Sequence, residues 1–147
     1  MKALQFVALL LTTVALIPAG AHLFALPNKI HLSQHDYFVA QAVYNGWALF
    51  GLVLFGNLLV LAALAFVQRG QTAAFVPVLI SFVCQLATLV IFFAFVFPAN
   101  QATANWTAVS ANWEMLRRNW EYGHAVSALI ALGGFCALVW SVLMTRD

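Results

Sequence analysis

Charge is what this sequence has least of. Six Lys and Arg and four Asp and Glu amount to 7% of 147 residues, and no basic run occurs. Without such a run there is no electrostatic footprint for nucleic acid and no polybasic switch for anionic lipid headgroups. Cysteine is scarcer still. Cys84 and Cys136 both fall in apolar stretches, which excludes a disulfide framework and a Cys-x-x-Cys redox or zinc pair. Both are expected to be small core residues facing neighbouring helices. A Gly-rich phosphate loop, a nucleophile elbow and a His-Glu-x-x-His zinc helix are also missing.

Apolar residues fill the space that charge leaves. They make up 65% of the chain, and the mean hydropathy is +0.96. A water-soluble domain needs more polar surface than that to cover its core, so the expected solvent is lipid. Crossing a hydrocarbon layer takes about 20 helical residues, and four stretches qualify, at about 3–21, 47–67, 73–97 and 125–144. Backbone groups in lipid must be satisfied internally, so each stretch is expected to be a helix. The first also has the order of a signal peptide, with a basic start, an apolar stretch and a small-x-small site; it is read here as a span. The resulting expectation is an all-α, integral membrane four-helix up-down bundle forming a single domain.

Two of its helices are expected to extend past the bilayer. "SQHD", Ser33 to Asp36, has the spacing of a capping box and starts an extension of helix two over 34–46. "PANQAT" ends helix three at Pro98, and an extension of helix four then covers 103–124. Both lie on the side opposite the termini. That side collects His22, Lys29, His31, His35, Gln41, Tyr44, Asn45, Glu121 and His124, whereas the terminal side offers Lys2, a "QRGQT" turn and Arg146-Asp147. Basic residues are nearly balanced: Lys2, Arg69 and Arg146 against Lys29, Arg117 and Arg118. The short tails and the tight turn at 68–72 favour cytoplasmic termini, in a bacterial inner membrane.

Within 103–124, Asn-Trp recurs every seven residues, at Asn105-Trp106, Asn112-Trp113 and Asn119-Trp120. On one helix that step drifts by only about 20°, so the indoles would form one stripe. Two readings stand side by side. The stripe packs the extension and joins Trp47 in an aromatic belt at headgroup level, or it walls a groove for a flat lipophilic ligand. In the second reading Gln41, Tyr44, Asn45, Trp47 and Asn100 add polar and aromatic contacts.

Glu121 and His124 stand at i and i+3, on one helical face. With His22 at the end of span one they make a possible two-histidine, one-carboxylate metal set, and His22 with His124 could instead hold a haem. The bland alternative pairs Glu121 with Arg117 or Arg118, Arg117 standing one turn away at i−4. Ser81, Gln85, Thr88 and Asn57 read as interhelical hydrogen bonds.

The segments "LPNKIHLSQHDYFVAQAVYNGWALFG" and "FPANQATANWTAVSANWEMLRRNWEYGHAVSAL" resemble the anthrone-oxygenase-like family of small four-span membrane proteins. The resemblance is carried by Pro98 and Asn100 after span three and by Trp120, Glu121 and His124 at the approach to span four. It implies cofactor-free oxidation of a lipophilic aromatic, with His124 or Glu121 removing a proton and Trp106, Trp113 and Trp120 walling the substrate. An accessory subunit whose tryptophan stripe contacts a partner is the other function carried forward.

Overall fold

A computed structural model describes residues 1–145; Arg146, counted above on the terminal side, lies outside them. Six α-helices account for most of the chain: α1 (Lys2–Lys29), α2 (Gln34–Gln41), α3 (Phe50–Gln68), α4 (Thr72–Ile91), α5 (Phe97–Ala102) and α6 (Trp113–Met144). Two short 3-10 turns, Ala42–Tyr44 and Trp47–Leu49, join α2 to α3. A π-helical turn, Phe92–Val96, joins α4 to α5 without interrupting the rod.

Four helical segments are long and apolar enough to cross a membrane: Lys2–Lys29, Trp47–Gln68, Thr72–Ala102 and Trp113–Met144. At most 22% of the apolar window of any one of them is buried inside the protein. The remaining apolar surface, including Phe24, Leu52, Leu59 and Phe66, points outward. So large an apolar exterior is stable only against lipid. Cys136 belongs to this exterior, contrary to the expectation of a core position, while Cys84 packs against α6.

Polar side chains fix how the four long helices run. Gln5 of α1 and Gln68 of α3 both donate to Thr145 Oγ1 just beyond α6, at 2.8 and 3.0 Å. Ser141 of α6 lies within hydrogen-bond distance of Gln68 Oε1 and the Ala74 carbonyl of α4. At mid-height Thr12 donates to Asn57 Oδ1, and Asn57 to Gln85 Oε1. The start of α1, the end of α3, the start of α4 and the end of α6 therefore share one end, and the long helices alternate in direction. Between the two polar layers Ala8, Leu61, Leu64, Val78 and Leu138 form an apolar plug. Helices α4 and α6 pack tightly at Gly134, where a Cβ would stand 2.9 Å from Cys84 Cβ. Any larger residue there would push the helices apart.

Three local expectations change. Ser33 does cap a helix, accepting from the Asp36 N–H at 3.2 Å. That helix, however, is separate from α3 and not an extension of it. Gly46 sits at φ 85°, a left-handed turn that favours glycine, and it breaks the chain between the two 3-10 turns. Pro98 does not end helix three. The π-turn one residue upstream passes the Phe97 N–H to the Phe92 carbonyl, and this wider spacing absorbs the proline. Finally, no helix covers 103–112. Ala104, Asn105 and Trp106 are three successive left-handed residues at φ 46°, 56° and 64°, a conformation costing about 1–2 kcal/mol each. Hydrogen bonds offset the strain: Asn105 N–H donates to the Asn100 carbonyl at 2.7 Å, and Trp106 N–H to Thr103 Oγ1 at 3.0 Å.

Candidate functional site

The end of the bundle away from the termini is built on one face of α6, where Trp113, Arg117, Trp120, Glu121 and His124 follow one another at helical spacing. Facing them is the end of α1. That helix runs through Pro27 to Lys29, two turns beyond the expected end of span one, and His22 and Lys29 at i and i+7 share its inner face. Helix α2 supplies Tyr37 and Gln41, the first 3-10 turn Tyr44, and α5 Asn100.

At the centre is a buried ion pair. Lys29 Nζ lies 2.9 Å from Glu121 Oε1, with side chains 8% and 0% exposed. At that distance charge attraction joins the two, and the Tyr37 hydroxyl is hydrogen-bonded to the same carboxylate. The ammonium also sits 4.4 Å from the Tyr44 ring centroid and 4.7 Å from that of Trp120, contacts that partly replace its lost hydration. Tyr37 stands beside the carboxylate and accepts from the Gln41 amide at 2.6 Å. Burial, and then the negative charge of Glu121, push the Tyr37 hydroxyl well above the ordinary phenol range, so it stays a proton donor.

Beside the ion pair the imidazoles of His22 and His124 stack at 4.0 Å with planes 21° apart. Tyr44 lies 4.4 Å from His22, Trp120 meets both rings edge-on, and Trp47 reaches His22 at 5.5 Å. His22 Nδ1 is buried without a hydrogen-bond partner.

The three tryptophans do not form a stripe on one helix. Trp106 comes from the left-handed turn, Trp113 starts α6, and Trp120 lies two turns further on. Trp106 and Trp120 are nonetheless buried together, because Asn100 Oδ1 accepts from both indole N–H groups, at 3.1 and 2.9 Å. Trp113 is half-buried against Tyr37 and Arg117. With two of the three indoles inside, no exposed tryptophan stripe is offered to a partner. Asn105, Asn112 and Asn119 all face outward, as does Asn45, which the expected ligand set included.

The expected metal set does not form either. Glu121 turns to Lys29, the two imidazoles face each other, and no group of three His, Cys, Asp or Glu among the described residues is placed to hold a metal ion. Rings stacked 4.0 Å apart also leave no room for a macrocycle between them, so His22 and His124 do not fit a haem. Arg117 does not pair with Glu121. It donates to the Leu32 carbonyl at 2.8 Å and lies over the Trp113 ring. His31 and His35 are solvated.

Two members of the cluster, Lys29 and Tyr37, carry roles the sequence reading did not assign. A seven-residue step from His22 marks Lys29, and an i, i+4 step to Gln41 marks Tyr37. Chemically the assembly sets an acid, a cation, two imidazoles and a phenol within one buried, aromatic-walled cluster, the groups that proton transfer requires. No family model, curated protein or solved structure matches the chain.

Proposed function

We propose that this chain is a multi-pass membrane protein that takes a small lipophilic aromatic compound at its polar end and oxidises it with dioxygen. The observation carrying this reading is the convergence of Lys29, Tyr37, Glu121, His22 and His124 in one aromatic-walled cluster. Ionisable groups within or at the edge of a lipid-embedded bundle are costly and mark function by default.

In the reaction, His124 or Glu121 removes a proton from a C–H made acidic by flanking aromatic and carbonyl groups. The electron-rich carbon then reacts with dioxygen. The methylene becomes a carbonyl, one oxygen atom enters the product, and the other leaves as water with the two hydrogens. The resemblance to the anthrone-oxygenase-like family supports dioxygen as the oxidant. Trp106, Trp113, Trp120, Trp47 and Gln41 position the rings, and Asn100 holds two of the indoles. With basic residues nearly balanced between the two ends, the tight turn at 68–72 leads us to place the terminal end in the cytoplasm, in a bacterial inner membrane.

An oxygen electrode tests the reading. Purified protein in lipid, given anthrone, is expected to consume one dioxygen per anthraquinone formed, and His124→Ala to slow this by about a hundredfold or more, within the range general base catalysis contributes. No uptake above protein-free vesicles with anthrone or smaller benzylic ketones would rule the reading out.

A further inference from the structure

Of the large rings in the polar end, Tyr44 has one of the slightest supports. It sits in a three-residue 3-10 turn, yet its ring occupies the middle of the cluster. His22 lies 4.4 Å from it, Lys29 Nζ is 4.4 Å from its centroid, Trp47 is at 4.9 Å and Trp120 at 5.4 Å. A phenol ring is thus held between an ammonium and an imidazole, with two indoles around it. A planar hydroxyaromatic guest would need the same surroundings.

The polar atoms nearby have capacity to spare. Lys29 has three N–H donors and one anionic neighbour, Glu121 Oε1; its ammonium otherwise meets ring faces. His22 Nδ1, against the Tyr44 ring, is buried with no hydrogen-bond partner. Buried polar atoms are satisfied in nearly all proteins, so this vacancy and the unused donors of a buried ammonium on the same ring call for a cause.

The segment carrying Tyr44 is also lightly packed. Neither 3-10 turn contains a buried residue, and Val43, Asn45, Ala48 and Leu49 are exposed. Beyond Tyr44, Gly46 lies at φ 85° with nothing within 4 Å of where a Cβ would stand.

We infer that Tyr44 is a built-in occupant of the ligand site, displaced by a planar hydroxyaromatic guest whose ionised oxygen Lys29 then holds. The inference rests on the proposed function and narrows its substrate to compounds bearing a phenolic or enolic hydroxyl. The proton balance closes. The guest's O–H proton passes to the Glu121 carboxylate, and the guest's oxyanion takes the carboxylate's place beside Lys29. One cation and one anion are present before and after, so no net charge enters the apolar interior.

The test uses full-length protein in lipid nanodiscs, with 1-naphthol and naphthalene as probes and empty nanodiscs as reference. Wild type is expected to bind 1-naphthol at least tenfold more tightly than naphthalene. Tyr44→Ala, with Tyr44→Leu in case alanine loosens the fold, should tighten 1-naphthol binding three- to tenfold. Removing both charges together, Lys29→Met with Glu121→Gln, should abolish the preference for 1-naphthol and leave naphthalene unchanged. Lys29→Arg should keep it within threefold. Unchanged or weaker binding in both Tyr44 variants, or a preference that survives loss of Lys29, overturns the inference. If oxygen uptake with anthrone persists in that case, the proposed function stands without it. If no aromatic binds to any variant and no uptake occurs, both fall.

Discussion

Both ends of this bundle bury polar side chains, and they do so in different ways. At the terminal end Gln5, Gln68, Ser141 and Thr145 are neutral and satisfy one another. At the opposite end Lys29, Glu121, Tyr37, His22 and His124 are ionisable, and several of their atoms lack partners. A closed network of amides and hydroxyls serves to set helix register, and each bond in it is worth little in a membrane. An under-satisfied cluster of acids and bases costs stability and is kept for what it can do. The contrast supports the proposal that the end away from the termini is the functional one.

The sharpest way to break the comparison is to remove one group from each end. Glu121→Ala leaves the Lys29 ammonium buried and unpaired and is expected to cost about 3–5 kcal/mol. Ser141→Ala removes neutral hydrogen bonds and is expected to cost about 0.6–1.7 kcal/mol. Reversible unfolding in mixed micelles, followed by helical circular dichroism, reads both. The double variant Lys29→Met with Glu121→Gln should recover most of the Glu121→Ala loss, because no lone charge remains. Equal costs at the two ends would mean that the ion pair is solvated, and the distinction between the ends would go.

A smaller effect sharpens the account of the site end itself. Asn100 Oδ1 is the common acceptor for Trp106 and Trp120. Asn100→Ala leaves two indole N–H groups without it, at an expected cost of about 1–3 kcal/mol. The left-handed turn at 104–106 then loses the anchor that holds Trp106 inside, and tryptophan emission should shift to the red as that indole meets water. Emission unchanged from wild type would show that packing against Tyr37 and Phe38 suffices to hold it.

These residues also show what could and could not be read from the sequence. The second span, expected at 47–67, is found at Trp47–Gln68, because a continuous apolar run in lipid admits only a helix. The capping box at Ser33 and the polar contacts of Asn57 and Gln85 were legible for the same local reason. The Asn-Trp heptad was legible as a pattern and misleading as geometry. A seven-residue period makes a stripe only if the helix is continuous, and of Ala, Asn and Trp at 104–106 only Asn105 favours a left-handed turn, too weak a signal to mark three in succession. The Lys29–Glu121 pair was invisible, since the nearer Arg117 satisfies the helical i, i+4 rule equally well. The choice between them depended on α1 running on through Pro27, and on Arg117 finding the Leu32 carbonyl and the Trp113 face instead. Both are tertiary facts.

The smallest expected effect lies at the margin of the site, in α2, which carries Tyr37 and Gln41. Ser33→Ala removes the helix cap and should cost about 1 kcal/mol. It should also change a pH dependence. The hydrogen bond from Ser33, and secondarily that from His35, hold the Asp36 carboxyl below its ordinary value. A carboxyl whose folded pKa is depressed contributes stability in full above its unfolded value, about 3.9. That contribution is lost as pH falls through the lowered folded value. With Ser33 gone the larger of the two causes disappears, and Asp36 should titrate closer to the ordinary carboxylate range, as NMR of its side-chain carboxyl can follow. The exposed α2 cap should then weaken with acid in wild type and much less so in Ser33→Ala, while the buried cluster beneath is unmoved. An Asp36 titration identical in the two proteins would mean that Ser33 does not hold the carboxylate, and that something other than this cap keeps Tyr37 seated over Glu121.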